Sequence, residues 1–112
     1  MSQISTHVLD TSRGKPAEGI HVTLYRVRDN EREEIAKGVT NMDGRVSSLL
    51  PDGKLVEPAV YKLVFETWKY FERQHLLAFY PLVEINFYIS DQSHYHIPLL
   101  LSQYGYSTYR GS

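Results

Sequence analysis

Val83-Glu84-Ile85-Asn86-Phe87-Tyr88-Ile89 sets Val83, Ile85, Phe87 and Ile89 in strict alternation with Glu84, Asn86 and Tyr88. Successive side chains of an extended chain point to opposite faces, so this period of two predicts a half-buried strand rather than a helix. The pattern recurs in both directions. Toward the N-terminus, Val60 to Trp68 predicts a long strand with Tyr61, Leu63 and Phe65 on one face, and Ile35 to Thr40 a short one. Ile20, Val22 and Leu24 oppose His21, Thr23 and Tyr25; Ile4, Thr6 and Val8 oppose Ser5, His7 and Leu9. Toward the C-terminus, His94 to Leu101 and Gly105 to Ser112 complete the set.

The intervening segments carry turn chemistry. Asp10 to Pro16 reads as a turn, and the charged run Arg28 to Glu34 reads as a hairpin connection at a solvated tip. Asn41-Met42-Asp43-Gly44 is a turn signal of the kind that places glycine at positive φ. Trp68 to Leu77 has helical spacing, with Phe71 and Gln74 or His75 on one side. Seven or eight short strands, one short helix and no internal repeat predict an all-β, antiparallel β-sandwich forming a single domain over residues 1–112.

Composition narrows the function classes. A chain of 112 residues has room for one core, and the absence of cysteine excludes disulfides, thiolate metal sites and a cysteine nucleophile. A formal charge of −1 gives no basic footprint for nucleic acid. No apolar run approaches a bilayer span, and the N-terminus has neither the basic nor the apolar region of a signal peptide. The expectation is a soluble, cytoplasmic protein. Nine tyrosines are many for this length, and an exposed tyrosine-rich edge at 104–109 favours pairing with another subunit. A homo-oligomer is expected.

Several polar residues are candidates for chemistry. His7 sits mid-strand on the face opposite Ile4, Thr6 and Val8, and Arg45 follows the Asp43-Gly44 turn. His94 and His96 share a strand face because they are two apart. Each also has a plain reading as a packed or solvated residue. His-x-His is a zinc-ligand spacing to which His7 would add a third nitrogen, yet no carboxylate is spaced near the pair as a fourth ligand. No Gly-x-Ser-x-Gly elbow and no glycine-rich phosphate loop occurs. The end of the chain, Tyr104-Gly-Tyr-Ser-Thr-Tyr-Arg-Gly-Ser112, alternates aromatic and small residues instead of trailing off in charge. It is expected to be fixed, and to bring an arginine, a serine hydroxyl and a terminal carboxylate to a site.

Ser5-Thr-His-Val-Leu-Asp10, Thr40-Asn-Met-Asp-Gly-Arg45 and His96-Ile-Pro-Leu-Leu-Leu-Ser102, leading into the terminal Tyr109-Arg-Gly-Ser112, closely resemble the 5-hydroxyisourate hydrolases. These are the transthyretin-related enzymes of purine breakdown, and the resemblance covers essentially the whole chain. Tyr-Arg-Gly-Ser is the family's most specific motif and is lacking in transthyretin itself. Gln103 departs from the proline that many members carry before Tyr-Gly-Tyr. The resemblance implies a transthyretin-like sandwich, a homotetramer with active sites at the dimer–dimer interface, and no metal or organic cofactor. It implies catalytic roles for His7, Arg45, His96 and Ser112, and substrate binding by His7, Arg45, Tyr109 and Ser112. Arg110 is expected to fix the tail, and His94 to be structural or to support the site.

Two other readings remain at this point. One is a transthyretin-like carrier of a small aromatic ligand in an inter-subunit channel. The other is a zinc-binding structural protein using His7, His94 and His96. An aromatic carrier would line its channel mainly with apolar side chains, which the set His7, Arg45, His96 and Ser112 does not provide.

Overall fold

Two four-stranded sheets share one apolar core in a computed structural model that describes residues 2–112. The elements in chain order are β1 (Ile4–Asp10), β2 (Lys15–Pro16), β3 (His21–Arg28), β4 (Glu31–Val39), β5 (Ala59–Phe65), α1 (Thr67–Glu72), β6 (Val83–Ile89), β7 (Tyr95–Leu101) and β8 (Tyr106–Thr108). One sheet has the order β2-β1-β7-β8 and the other β4-β3-β5-β6. This is the predicted β-sandwich of eight strands with one short helix. Among the described residues the one parallel pair is β1 with β7, which runs from Ile4 opposite Tyr95 to Asp10 opposite Leu101.

Period-two alternation sorts the side chains as expected. Ile4 and Val8 of β1, Val22 and Leu24 of β3, Leu63 and Phe65 of β5, Val83 and Ile89 of β6, and Leu99 and Leu101 of β7 are buried. Truncating a core leucine such as Leu63 to alanine would cost roughly 2–5 kcal/mol in transfer and cavity terms. The opposite face of β1 and β7 carries Ser5, His7 and His96, all half-buried. The chemistry-bearing residues therefore stand on the outer face of the β2-β1-β7-β8 sheet, with a packed core beneath them.

Four boundaries differ from the sequence reading. The charged run Arg28 to Glu34 is not a solvated tip: only Asp29 and Asn30 turn, and Glu31 to Glu34 pair with β3. β4 is an edge strand, so its backbone is laddered while its charges stay in water and discourage further pairing. The helix is six residues, not ten, because the chain turns out of it at His75, where φ is +60°; Leu76 and Leu77 beyond it are exposed. β5 stops at Phe65, before the helix. The terminal strand β8 spans only three residues, and the tail rejoins the sheet later, where Gly111 pairs with His96. Among the described residues no helix is long and apolar enough to cross a membrane.

Candidate active site

The Asn41–Gly44 turn delivers Arg45 to His7. Asn41 Oδ1 accepts from the backbone N–H groups of Asp43 (2.9 Å) and Arg45 (3.1 Å), and the Asn41 N–H donates to the Arg45 carbonyl (2.8 Å). Gly44 adopts φ +75°, and a Cβ there would collide with the Val8 carbonyl oxygen. Only glycine permits this approach, in which the Gly44 carbonyl accepts from the Val8 N–H at 2.8 Å. The closed turn leaves His7 and Arg45 paired across an antiparallel bridge.

His96 reaches the same face from the neighbouring strand. Its Nδ1 lies 2.7 Å from Ser5 Oγ, and the same oxygen lies 2.9 Å from His94 Nε2. The two imidazoles stack with centroids 6.3 Å apart and planes 17° from parallel. With Nδ1 engaged, Nε2 is the His96 nitrogen left for a bound molecule.

The C-terminal tail covers one side of His96. The Gly111 N–H donates to the His96 carbonyl at 2.8 Å, and Thr108 Oγ1 donates to the Pro98 carbonyl at 2.7 Å. Between these anchors the Arg110 guanidinium stacks on the Tyr95 ring, 4.3 Å from its centroid. Tyr95 Oη in turn donates to Asp91 Oδ1 at 2.8 Å. This contact supports the reading of Arg110 as the residue that fixes the tail.

A polar cleft of about 610 Å³ results, with Ser5, Arg45, Asp52, His94, His96, Tyr109, Gly111 and Ser112 in its walls. The structure thus brings Arg45, His96, Tyr109 and Ser112 to one cavity. His7 stands beside it, bridged to Arg45, and does not itself line the wall. Sequence reasoning missed Ser5, Ser48 and Asp52. Ser48 lines the cleft at φ +61°, a left-handed conformation uncommon outside glycine. Ser5 shares the strand face of His7 by its spacing of two, but nothing local ties it to His94 or His96, and Ser48 and Asp52 form no local pattern with the histidines.

Both site histidines have pKa values below the ordinary value of 6.5. For His7, burial disfavours the imidazolium and the Arg45 charge lowers it further, outweighing the Asp43 hydrogen bond and charge. For His96, burial again leads, followed by Arg45, His94 and His7. Neutral imidazoles beside a fixed cation are equipped to take up a proton and to hold negative charge on a neighbouring atom. Among the described residues no group of three or more His, Cys, Asp or Glu side chains is arranged to hold a metal ion. The trio His7, His94 and His96 does not form such a group.

Residues 4–111 match the model of the HIUase/Transthyretin family. The chain belongs to that family. Among its relatives, the 5-hydroxyisourate hydrolase of Salmonella typhimurium is 47% identical over 110 residues, spanning 97% of this chain and 80% of the relative. A solved structure of Klebsiella pneumoniae 5-hydroxyisourate hydrolase is 39% identical and superposes with a TM-score of 0.86, covering 97% of this chain and 98% of the other. Sea bream transthyretin, solved in complex with thyroxine, is 26% identical with a TM-score of 0.90, covering 98% and 95%. The hydrolase and the transthyretin thus share this backbone almost equally well. Side chains, not the sandwich, must separate the family's activities.

Proposed function

We propose that this chain hydrolyses the cyclic amide bond of 5-hydroxyisourate, yielding 2-oxo-4-hydroxy-4-carboxy-5-ureidoimidazoline, a step of urate degradation. One observation carries the reading: Arg45, His96, Tyr109 and Ser112 line one polar cleft, and His7, bridged to Arg45, stands beside it. A carrier of an aromatic ligand would want apolar walls, and this cleft has Arg45, Asp52, His94, His96 and Ser112 in its walls. Hydrolase relatives at 47% and 39% identity support the same choice.

The chemistry assigns each group a task. Water adds to the ring carbonyl carbon, and one of the two imidazoles takes the proton it loses. The carbonyl oxygen becomes an oxyanion, which the fixed charge of Arg45 stabilises; the planar guanidinium also matches the substrate's carbonyls and amides. As the C–N bond breaks, its electron pair goes to nitrogen, which takes the proton back from the imidazolium formed when water was deprotonated, while the other histidine positions the water. Tyr109 and Ser112 hold the ring. No step calls for a metal or organic cofactor.

The active form in this reading is a homotetramer, with sites at the dimer–dimer interface and a cytoplasmic location. The outer-sheet position of His7 and His96 supports it. So does an exposed aromatic cluster in which Phe79 contacts Tyr80 and Tyr104, and Tyr80 contacts Tyr106. Exposed rings of this kind are common at subunit interfaces. The test is optical: 5-hydroxyisourate generated from urate by urate oxidase should decay faster with the protein than without it. An unchanged decay rate would reject the function.

A further inference from the structure

The Ser5 hydroxyl lies between two histidines separated from it by about ninety residues of chain, 2.7 Å from His96 Nδ1 and 2.9 Å from His94 Nε2. A hydroxyl has one proton and can accept others, whereas a neutral imidazole has one donor and one acceptor nitrogen. When the Ser5 proton is shared within this trio, the chain has two internally consistent forms. In the first, His94 Nε2–H donates to Ser5 and Ser5 donates to His96 Nδ1, leaving His96 Nε2 protonated. In the second, His96 Nδ1–H donates to Ser5, Ser5 donates to His94 Nε2, and His96 Nε2 presents a lone pair. In these two forms the ring tautomers are coupled through one oxygen.

We propose that Ser5 and His94 are positioning residues that hold His96 as its Nδ1–H tautomer, so that Nε2 faces the cleft as a proton acceptor. This rests on the hydrolase reading for its catalytic meaning, though not for its structure. One observation selects the second form. Arg45 lines the same cleft and carries donors only, so it favours the ring form that turns a lone pair into the cavity. The two imidazoles stack at 6.3 Å and 17° beside the shared Ser5 oxygen. The charged or titratable side chains around His96 are Arg45, His94 and His7, with Asp52 and Tyr109 in the walls of the cleft. His94 thereby acquires a role that its spacing from His96 alone did not reveal: it receives the Ser5 proton. A second-layer hydrogen bond that fixes a tautomer is a recurrent device for setting which nitrogen does the chemistry.

The test reads the tautomer directly, by NMR of the whole protein labelled at the imidazole nitrogens, at a pH above the ordinary histidine range. His96 should show a protonated Nδ1 and an unprotonated Nε2. Ser5→Ala should move it toward the Nε2–H form, Ser5→Thr should restore the native signature, and His94→Ala should act like Ser5→Ala because Ser5 then donates to His96. With 5-hydroxyisourate, Ser5→Ala should lose about 10-fold in kcat with KM little changed, and Ser5→Thr should recover it. A native His96 already protonated at Nε2, or a tautomer indifferent to both alanine variants, would overturn the proposal. Because the spectrum needs no turnover, an inactive wild-type protein with the expected tautomer would reject the hydrolase reading alone.

Discussion

Gly111 lies so close to His96 that a Cβ built on it would come within 2.6 Å of the imidazole Cδ2 and 3.2 Å of Pro98 Cγ. The backbone contact is equally tight: Gly111 N–H donates to the His96 carbonyl at 2.8 Å. Glycine is required here for space and not for an unusual φ. The tail therefore uses a residue without a side chain to lie against the His96 ring.

Gly111→Ala should accordingly lose at least about 10-fold in kcat/KM, since on the proposed mechanism displacing the His96 ring by an ångström or less is enough to misalign it. Thermal stability should fall by no more than about 1–3 kcal/mol, the usual cost of overpacking. Gly105→Ala is the control. The nearest atom to its added Cβ is Ser102 Oγ at 3.7 Å, ordinary contact, and activity should stay near native. Equal loss in both variants would show that the tail's fit on His96 is unimportant.

The pH dependence follows from the two histidines. Burial first, then Arg45, lowers both pKa values below 6.5, so the neutral imidazoles persist to lower pH than in a free histidine. The acid limb of kcat/KM should therefore have its midpoint below 6.5. Arg45→Lys keeps the charge and should keep the limb low; Arg45→Ala should move it upward while cutting the rate. A wild-type midpoint above the ordinary histidine value would contradict this account of the cluster.

The sequence made the core and the turn legible because both depend on local rules. Alternation marks a strand wherever one face is buried, and Asn41 to Gly44 is a turn because its side chains close it locally. Alternation has no direction, however, so the parallel pairing of β1 with β7 was not readable. Nor does it distinguish edge charge from tip charge, which is why Glu31 to Glu34 looked like a loop. Ser5 and Asp52 were invisible as site residues for a different reason. Their relation to His96 is set by pairing distant segments, and only the register of Ser5 opposite His96 creates it.

A stability prediction concerns Asp10, which is 1% exposed at the end of β1. Its carboxylate accepts from Tyr70 Oη (2.7 Å), Ser12 Oγ (2.7 Å) and the N–H groups of Ser12 (3.1 Å) and Arg13 (3.2 Å). Burial alone would raise its pKa, but these hydrogen bonds outweigh it and hold the carboxyl below its ordinary 3.8. A depressed folded pKa contributes stability that is present above the unfolded pKa and lost as pH falls through the folded one. Tyr70→Phe should cost about 1–3 kcal/mol near neutral pH, as expected for a hydrogen bond to a charged group. That cost should shrink as the solution is acidified below the ordinary carboxylate range. Denaturant melts across that range check it, and a penalty independent of pH would refute the linkage.

The most direct test of the account compares the decay of freshly generated 5-hydroxyisourate in four samples: wild type, His7→Ala, Arg45→Ala and His96→Ala. Each is assayed with a metal chelator and checked by thermal melting. Wild type should show chelator-resistant catalysis, and each folded variant should lose about 10²-fold or more, the scale expected for removing an acid–base or oxyanion group. Near-native rates in all three variants, or a wild-type rate that chelation abolishes and zinc restores, would contradict it.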